Sequence, residues 1–378
     1  MDVKKILYAA TVVKTHIMQF HVPYLKMLQN MGWRTEVAAK NDYENPDDCV
    51  IPYCDAYHDI PFERAPWHPR NLTAYRELKK LIRENRYDVI HCHTPVGAMV
   101  TRLAAISARK QGTTVIYTAH GFHFFKGAPL LNWLVFFPAE WMLSPLTDIL
   151  VTINKEDYAT AKKYLHAKKV VYIPGVGVDR ERFCPDPGVR EPKRTELGFT
   201  DQDFLILTVA EMTKNKNHAA VIHALACLRT QPEFIHLHYL IVGRGTEQKN
   251  LQRLAESLGL QEHVHFLGYR ADVEDLYRAA DIFAFMSFRE GLSLALMEAM
   301  SSGLPAVCAK IRGNTDLIED RVSGLFTENN PEALSEAILK LYRNPDLREK
   351  IALGAVKKTA EFDRHVVQGC MRKLYEEL

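Results

Sequence analysis

The sequence of 378 residues has no apolar run long enough to cross a bilayer. Its most hydrophobic stretch, LLNWLVFFPAEWML at 130–143, is interrupted by Asn132, Pro138 and Glu140. The first residues, MDVKKILYAATVV, resemble a strand, and their apolar run is too short for a signal peptide. We therefore expect a cytoplasmic protein, in which residues 130–143 either lie on a membrane surface or form a buried helix.

Cysteine pairs and repeats are missing as well. The sequence contains no Cys-x-x-Cys pair, no low-complexity tract and no short-period repeat. Its cysteines are scattered, and several fall in predicted strands or helices, which is typical of reduced core residues in a cytosolic protein. They are residues 49, 54, 92, 184, 227, 308 and 370.

The chain has little net charge of either sign. The formal net charge of +2 argues against general nucleic-acid binding. The charge is unevenly spread, however. Residues 1–169 hold 22 Lys and Arg against 16 Asp and Glu, and the remainder holds 26 against 30. The basic first part therefore suggests contact with an anionic partner, such as a phospholipid surface or a lipid phosphate.

Short apolar runs alternate with longer amphipathic ones along the whole chain, which predicts two doubly wound parallel sheets. The predicted strands include Ile149–Thr152 in the first sheet and Phe204–Val209 and Ile282–Phe285 in the second, and none is predicted between Ala39 and Val89. The length also fits two domains. The polar stretch VREPKRTELGFTDQD, residues 189–203, is interpreted as a linker. We predict an N-terminal Rossmann-like domain over residues 1–185 and a second one over residues 186–359, with ligands binding at the carboxyl ends of the strands.

The stretch REGLSLALMEAMSSGLPA, residues 289–306, contains two glutamates, of which Glu298 lies among apolar residues. Ser293 is predicted to cap a helix that contains Glu298, and the strand Ala306–Ala309 follows it. A carboxylate in apolar surroundings is costly unless something hydrogen-bonds to it. Because a ribose offers two hydroxyls to such a carboxylate, Glu298 is a candidate for binding a nucleotide.

Three predicted loops at strand ends could bind phosphate. The first carries Lys214, Asn215 and Lys216 before a helix, and the second contains Gly243-Arg244-Gly245. The third is Gly291 with the amides of Leu292 and Ser293, at the start of the helix that contains Glu298. Together with a carboxylate nearby, three converging loops predict a nucleotide pocket, although each loop alone is a weak signal.

Histidines follow two predicted strands of the first domain. The sequence VIHCHTP contains His91 and His93, and VIYTAHGFHFF contains His120. A zinc site is one interpretation, but nearby Asp, Glu or Cys at a spacing fixed by a helix is missing. We therefore expect no metal site. His120 is predicted to hydrogen-bond an organic ligand, and His91 to be a satisfied strand residue.

Residues 289–307 resemble the Glu-x7-Glu signature of the retaining nucleotide-sugar glycosyltransferases of family 4. IPGVGVDRERF, residues 173–183, is similar to the segment between their domains, and residues 242–287 follow the pattern of their second domain. The resemblance implies a GT-B architecture, with two Rossmann-like domains facing each other across a cleft and the last helix, about 360–378, crossing back to the first domain.

The resemblance also implies roles for particular residues. Glu298 would hold the ribose, Lys216 would neutralise the diphosphate, and His120 would lie near the transferred sugar. Glu290, with the amides that follow it at Gly291, Leu292 and Ser293, would hold the sugar hydroxyls. The segment His265–Arg270, which includes Tyr269, would lie beside the base.

Two positions depart from the pattern of the family. Where the family commonly has Gly-Arg, this chain has Ala210-Glu211, so that one cation for the diphosphate is missing and Lys214 or Arg244 would have to compensate. The glycine-rich first loop is replaced by AATVVKTHIM, in which Thr15 and His16 lie on the predicted acceptor side. Similar variants occur among bacterial capsule and exopolysaccharide glycosyltransferases.

The expected reaction is transfer of a sugar with retention of configuration. The donor would be a UDP-sugar and the acceptor a glycan or a polyprenyl-diphosphate-linked sugar at the inner face of the membrane. The Asp201-x-Asp203 match precedes a strand, at the wrong end of the sheet for a diphosphate, so no metal and no other cofactor is expected. Two alternatives stay open: a nucleotide-sugar epimerase, and a non-catalytic partner subunit.

Overall fold

The computed structural model describes residues 3–378, which divide into two compact units. The first unit comprises residues up to Val176 together with Gln368–Leu378, and the second comprises Gly177–Val367. The first unit thus ends at Val176 and includes Gln368–Leu378, whereas the sequence places the boundary at residue 185 and the returning helix at about 360–378.

One parallel sheet forms the centre of the first unit. Within its described residues, the strands are β1 Lys5–Val12, β2 Arg34–Lys40, β3 Ala56–Asp59, β4 Val89–His93, β5 Thr114–Ala119, β6 Ile149–Thr152 and β7 Lys169–Tyr172. Their order is β3-β2-β1-β4-β5-β6-β7. The direction of winding changes between β1 and β4, and ligands of such sheets bind at the carboxyl ends there.

The second unit repeats this topology. Its strands are β8 Phe204–Val209, β9 Leu237–Val242, β10 Val264–Gly268, β11 Ile282–Phe285, β12 Ala306–Ala309 and β13 Leu325–Thr327, in the order β10-β9-β8-β11-β12-β13. Every pair of neighbouring strands is parallel. The winding changes between β8 and β11, so the carboxyl ends of these two strands mark the expected ligand position.

Helices cover the sheets. Those of the first unit are Met18–Phe20, Val22–Asn30, Arg70–Asn85, Pro95–Ala104, Ile106–Arg109, Leu130–Leu143 and Lys155–Tyr164, with a π-helix at Val13–Ile17. Those of the second unit are Pro187–Leu197, His218–Cys227, Gln248–Ser257, Val273–Ala279, Leu294–Ser301, Asn314–Leu317, Pro331–Arg343 and Pro345–Thr359. The helix Arg364–Glu376 ends the chain.

The linker predicted at residues 189–203 is wrong, because much of it is the helix Pro187–Leu197. Asp186 caps this helix by accepting a hydrogen bond from the amide of Gly188, and Gly198 ends it with a φ of 82°. The side chain of Arg194 is 1% exposed and donates to Asp281 Oδ2 over 2.5 Å. The polar composition therefore reflects a helix anchored by a buried ion pair, not an exposed connection.

The stretch 130–143 forms a helix, but none of its residues is buried, so a buried helix is the wrong interpretation. Glu140 pairs with Arg102, whose guanidinium donates to Oε1 over 2.5 Å and to Oε2 over 3.0 Å. Leu130, Leu131 and Leu134 are exposed. Across the described residues, no helix is both long and apolar enough to pass through a membrane.

The cysteines are all free, as expected. The prediction that they are core residues holds only for Cys92 and Cys308, which are buried, since Cys227 and Cys370 are exposed on helices.

The strand β3 was not predicted. Its sequence, Ala-Tyr-His-Asp, has no apolar run, and its residues are only partly buried at the edge of the sheet.

Candidate functional site

The helix Leu294–Ser301 follows β11 at the carboxyl edge of the second sheet. Ser293 caps it, as predicted, because its Oγ accepts a hydrogen bond from the amide of Leu296 over 3.3 Å. Leu296, Met297, Ala299 and Met300 are buried against the sheet. The free amides at the start of this helix therefore lie at the edge where ligands of such sheets bind.

Glu298 is half-buried on this helix, and its neighbour is Tyr277. The Tyr277 hydroxyl donates to Glu298 Oε2 over 3.1 Å. Burial raises the pKa of Glu298 to about 7, against the opposing effect of this hydrogen bond. The carboxyl group is thus only partly desolvated and partly satisfied, so a ligand with hydroxyl groups can supply the hydrogen bonds that it lacks.

Glu290 and Lys216 form an ion pair, although 73 residues separate them in the chain. Lys216 Nζ donates to Glu290 Oε1 over 2.6 Å and lies 5.1 Å from the centroid of the Phe285 ring. Two hydrogen bonds join their loops, one from the Asn215 side chain to the carbonyl of Arg289 and one from the amide of Phe288 to the carbonyl of Asn215. The structure therefore brings the first and third predicted loops together.

The Gly243-Arg244-Gly245 loop packs on the backbone of the first loop. A Cβ at Gly243 would lie 2.1 Å from the carbonyl oxygen of Ala210, and one at Gly245 would lie 2.2 Å from that of Met212. Gly243 also has a φ of +139°, which side chains rarely tolerate. These glycines therefore allow two loops to pack closely, while the side chain of Arg244 is exposed.

Two arginines that the sequence analysis missed lie next to Glu290. Arg312 follows β12, is 6% exposed, and its Nε donates to the carbonyl of Glu290 over 3.0 Å. Burial, and then the charge of Arg312, lower the pKa of Arg289. Two close guanidiniums, partly withdrawn from water, form an environment suited to an anion. The signal was available, because Arg312 lies in the loop after a strand end, as Lys214 and Gly243 do.

The remaining predicted residues of the second unit have partners or are exposed. Arg270 pairs with Asp272 and with Glu196 Oε1, the latter over 3.0 Å, and these hydrogen bonds raise its pKa. Tyr269 is 72% exposed. Lys214 is exposed in the same turn as Lys216. Asp203 lies before β8 and accepts hydrogen bonds from Thr200, in agreement with its interpretation as part of a surface turn.

The histidines of the first unit converge at the carboxyl ends of β1, β4 and β5. His16, His21, His93 and His120 each place one ring nitrogen within 4.8 Å of those of the other three. We call these four residues the histidine cluster. His21 Nε2 lies 3.2 Å from His16 Nε2, and His120 Nε2 lies 3.4 Å from His93 Nδ1. His16, His93 and His120 were each candidates from the sequence, whereas His21 was not.

Burial keeps the histidine cluster uncharged. Burial lowers the pKa of His120 to about 4, and burial together with the neighbouring histidines holds the pKa values of His16, His21 and His93 well below the usual range. Thr15, the other residue predicted on the acceptor side, lies apart from them. It is exposed, and its hydroxyl donates to Asp42 Oδ2 over 3.0 Å.

His91 lies beside the histidine cluster but has both ring nitrogens occupied. Its Nδ1 is 2.7 Å from the hydroxyl of Tyr375, and its Nε2 is 2.7 Å from that of Thr118. It is therefore a satisfied residue of β4, as predicted. Tyr375 belongs to the last residues of the chain, so this contact also ties the C-terminal helix to the first unit.

Comparison with known proteins identifies the family. The family described as "Glycosyltransferase Family 4" matches residues 24–182, and the one described as "Glycosyl transferases group 1" matches residues 189–358. The chain is 40% identical to the candidate glycosyltransferase EpsD of Bacillus subtilis (strain 168), over 95% of this chain and 93% of EpsD. It is 29% identical, over 69% of each chain, to the UDP-Gal:alpha-D-GlcNAc-diphosphoundecaprenol alpha-1,3-galactosyltransferase of Escherichia coli.

Solved structures share the fold. Anabaena HepE, in a complex with UDP and glucose, superposes with a TM-score of 0.80 at 21% identity, over 99% of this chain and 100% of HepE. WaaG, a glycosyltransferase involved in lipopolysaccharide biosynthesis, gives a TM-score of 0.78 at 20% identity, over 98% of this chain and 99% of WaaG. The predicted GT-B class of two Rossmann-like domains is thereby confirmed. The chain belongs to the glycosyltransferases of family 4 and is a glycosyltransferase.

Proposed function

We propose that this glycosyltransferase moves a sugar from a UDP-sugar to a polyprenyl-diphosphate-linked glycan, with retention of configuration, during synthesis of a bacterial surface polysaccharide. The observation that carries the proposal is the ion pair of Lys216 and Glu290 at the carboxyl edge of the second sheet, just before the helix that contains Glu298. The names of two similar proteins support it, since HepE was solved with UDP and glucose and the Escherichia coli relative is named for a UDP-Gal donor and a diphosphoundecaprenol acceptor.

Glu298 binds the ribose in this proposal. Its carboxylate accepts hydrogen bonds from the two ribose hydroxyls, which offsets the cost of keeping it in a half-buried position. Because Tyr277 already donates to one carboxylate oxygen, the side chain is oriented before the nucleotide arrives. Glu290 and the amides of Gly291, Leu292 and Ser293 bind the sugar hydroxyls.

The diphosphate is bound by cations and by backbone amides. Lys216 exchanges part of its contact with Glu290 for a phosphate oxygen, and the start of the helix Leu294–Ser301 adds its free amides. As the sugar leaves, negative charge grows on the diphosphate, so groups held in advance at this place lower the barrier.

Arg289 and Arg312 supply the cation that Glu211 cannot. Lys214 and Arg244, the candidates from sequence, are exposed, whereas Arg312 is buried and Arg289 is half-buried beside Glu290. A guanidinium withdrawn from water gains more from a phosphate than an exposed one, and it can bind two oxygens at once. We therefore assign the missing role to this pair of arginines.

The acceptor hydroxyl attacks from the side of the leaving group, and a phosphate oxygen takes its proton. Retaining hydrolases use a carboxylate nucleophile, whereas the histidine cluster of the first unit is made of imidazoles alone. The contact of His120 with the transferred sugar remains a prediction. We expect transfer to proceed without a metal ion on the diphosphate, because the positive charge there comes from Lys216, Arg289 and Arg312.

The lipid-linked acceptor requires a position near a membrane, and the first unit has a suitable surface. Leu130, Leu131 and Leu134 expose 74%, 68% and 66% of their surface on the helix Leu130–Leu143. Trp67, 83% exposed, lines an apolar groove of about 500 Å³ along the helix Pro95–Ala104. Exposed basic residues follow on the helix Arg70–Asn85, and they suit anionic headgroups.

Binding to vesicles tests this surface. The variant Leu131→Asp/Leu134→Asp should bind anionic vesicles of phosphatidylglycerol several-fold more weakly than the wild type, because each leucine that enters the interface contributes apolar burial. The matched control is Leu353→Asp, since Leu353 is 67% exposed on a helix of the second unit. Equal binding by both variants and the wild type would contradict membrane contact through this helix.

The experiment that tests the proposed function is a panel of UDP-sugars with the purified protein. UDP release and the mass of any glycosylated product are followed, with and without lipid extract, and with EDTA in a parallel set. UDP release that depends on one donor and on lipid supports the proposal, provided that the sugar in the product keeps the anomeric configuration that it has in the donor. Isomerised sugar without acceptor would indicate an epimerase, and donor binding without product would indicate a partner subunit.

A further inference from the structure

We infer that the histidine cluster of the first unit is a binding site for one divalent transition-metal ion of the zinc type. The inference starts from distance. A tetrahedral ion with metal–nitrogen bonds of about 2.0–2.1 Å requires its ligand nitrogens to lie about 3.3–3.4 Å apart. The His16–His21 and His93–His120 nitrogen pairs are separated by 3.2 Å and 3.4 Å, and all four residues offer a nitrogen within 4.8 Å of the others.

Unsatisfied nitrogen atoms in the same cluster give a second, independent observation. Within residues 3–378, His21 Nδ1 and His93 Nε2 are buried without a hydrogen-bond partner. The two residues are 2% and 1% exposed. A buried polar atom without a partner is unfavourable, and sites of this kind in native proteins often mark an ion or a catalytic group. The hydrogen bonding of the cluster is therefore incomplete among the described residues, although these two nitrogens are opposite to the ring nitrogens that make the two short contacts.

The chemistry of the ligands selects the class of ion. All four candidate ligands are imidazoles, and the neutral imidazole is the commonest metal ligand in proteins. Four imidazoles suit Zn²⁺, Co²⁺, Ni²⁺ or Cu²⁺, whereas Mg²⁺ and Ca²⁺ prefer oxygen. The zinc interpretation of the sequence used His91, but both nitrogens of His91 are occupied.

The backbone holds the four ligands in fixed positions. His93 ends β4, and His120 follows β5, so both start from the rigid sheet. His16 lies in the π-helix Val13–Ile17, a rare form that is frequent at functional sites. Tyr8 of β1 stacks on His93, with ring centroids 5.4 Å apart and an angle of 20°. The site is therefore built by the first unit alone, and metal binding can be measured without donor, acceptor or turnover.

Titration of the chelator-treated, full-length protein with Co²⁺ tests the inference. Tetrahedral Co²⁺ absorbs visible light much more strongly than Co²⁺ in water, so the spectrum reports both binding and geometry. We expect one equivalent to bind with this spectrum, and one equivalent of Zn²⁺ to abolish it. The variants His21→Gln and His93→Gln should weaken binding by at least about tenfold, since each removes a ligand.

Two further variants control for folding and for histidine content. His93→Cys replaces one ligand by another and should bind Co²⁺ with an added sulfur-to-metal absorption band, which a misfolded protein would not give. His238→Gln is the matched control, because His238 Nδ1 lies 3.2 Å from His265 Nε2 in the second unit, and neither residue belongs to a candidate metal site among residues 3–378. It should bind like the wild type. No tetrahedral spectrum in the wild type, or equal loss in His238→Gln and His21→Gln, would overturn the inference.

Failure of this test is distinguishable from failure of the proposed function. Metal binding with no transfer from any UDP-sugar would leave the metal site standing and remove the transferase proposal. Transfer with no metal binding would do the reverse.

Discussion

The two units share one topology but carry opposite chemistry at the same place in the fold. In the second unit, the carboxyl ends of β8 and β11 carry Lys216, Arg289 and Glu290, which are charged. In the first unit, the carboxyl ends of β1 and β4 carry histidines that burial keeps neutral. A doubly wound sheet thus fixes where a ligand binds, while the loop residues decide whether the ligand is an anion or a species that neutral imidazoles can bind.

The comparison also shows two ways to satisfy a buried polar group. Lys216 and Glu290 satisfy each other over 2.6 Å, and Glu298 is met by Tyr277. The hydrogen bonds within the histidine cluster are incomplete, because His21 Nδ1 and His93 Nε2 have no partner among the described residues. The site of the second unit is therefore ordered before its ligand binds, whereas the histidine cluster keeps unsatisfied nitrogen atoms.

The largest effect is expected at Lys216. Lys216→Ala should lower kcat for sugar transfer about 10²–10³-fold, because the charge that develops on the diphosphate loses a group placed for it. Lys214→Ala is the matched control, since Lys214 lies in the same turn but is exposed, and its kcat should change little. If the two variants lost the same activity, positive charge anywhere in this loop would support catalysis, and the specific role assigned to Lys216 would be wrong.

Removing the carboxylate of Glu298 should weaken UDP binding by about 1–3 kcal/mol, which is about 5- to 150-fold in Kd. Glu298→Ala leaves the ribose hydroxyls without their acceptor. Calorimetric titration with UDP measures the change, and the affinity for uracil base alone serves as the control for a general defect. An unchanged Kd would contradict the assignment of the ribose.

The structure assigns the missing diphosphate-binding cation to Arg289 and Arg312, whereas the sequence offers Lys214 or Arg244 for this role. Arg289→Ala should weaken UDP binding about tenfold, the size of one hydrogen bond to a charged group. Arg244→Ala should weaken it less, because Arg244 is exposed and exposed ion pairs contribute little. Titration of both variants with UDP measures the two changes in affinity. A larger loss of affinity in Arg244→Ala would indicate that Arg244, in the glycine-containing loop, binds the diphosphate.

The affinity for UDP should depend on pH through Glu298. The pKa of Glu298 is about 7 in the free protein, and the nucleotide binds the ionised form, so affinity should fall as pH drops through 7. Between pH 8 and pH 6 the ionised fraction falls about tenfold, which bounds the effect. Because UDP itself also titrates, the measurement is the difference between the wild type and Glu298→Gln, which lacks this carboxyl. Parallel pH profiles for the two proteins would show that Glu298 does not titrate in binding.

Sequence predicted the elements whose signals are local. The strands Ile149–Thr152, Phe204–Val209 and Ile282–Phe285 fall on the predicted residues, because buried parallel strands are short, continuous apolar runs between breakers. Ser293 was predicted as a helix cap because capping, too, depends on residues that are close in the sequence. The helix Pro187–Leu197 was missed although Asp186 and Gly198 mark its ends, because its polar composition resembles a linker. The burial of Arg194 depends on Asp281, which only the folded chain brings near.

The candidate sites divide in the same way. Lys216, Glu290 and Glu298 were singled out because each follows a strand or interrupts an apolar helix, and their family supplies the pattern. Arg289 and Arg312 were missed since an arginine after a strand looks like an ordinary surface residue until its burial is known. The histidine cluster needed the fold itself, because His21 and His120 come from different strand-to-helix segments and show no metal-binding spacing.

Hydrogen–deuterium exchange with and without UDP tests where the nucleotide binds, since it reports on both units in one measurement. We expect protection of backbone amides in 211–217, 243–247 and 289–296, where the cations, the glycines and the helix start lie. We expect no change at 13–21 and 91–93, which contain three members of the histidine cluster. Protection confined to these histidine segments, with none in the three loops of the second unit, would contradict nucleotide binding at the second sheet.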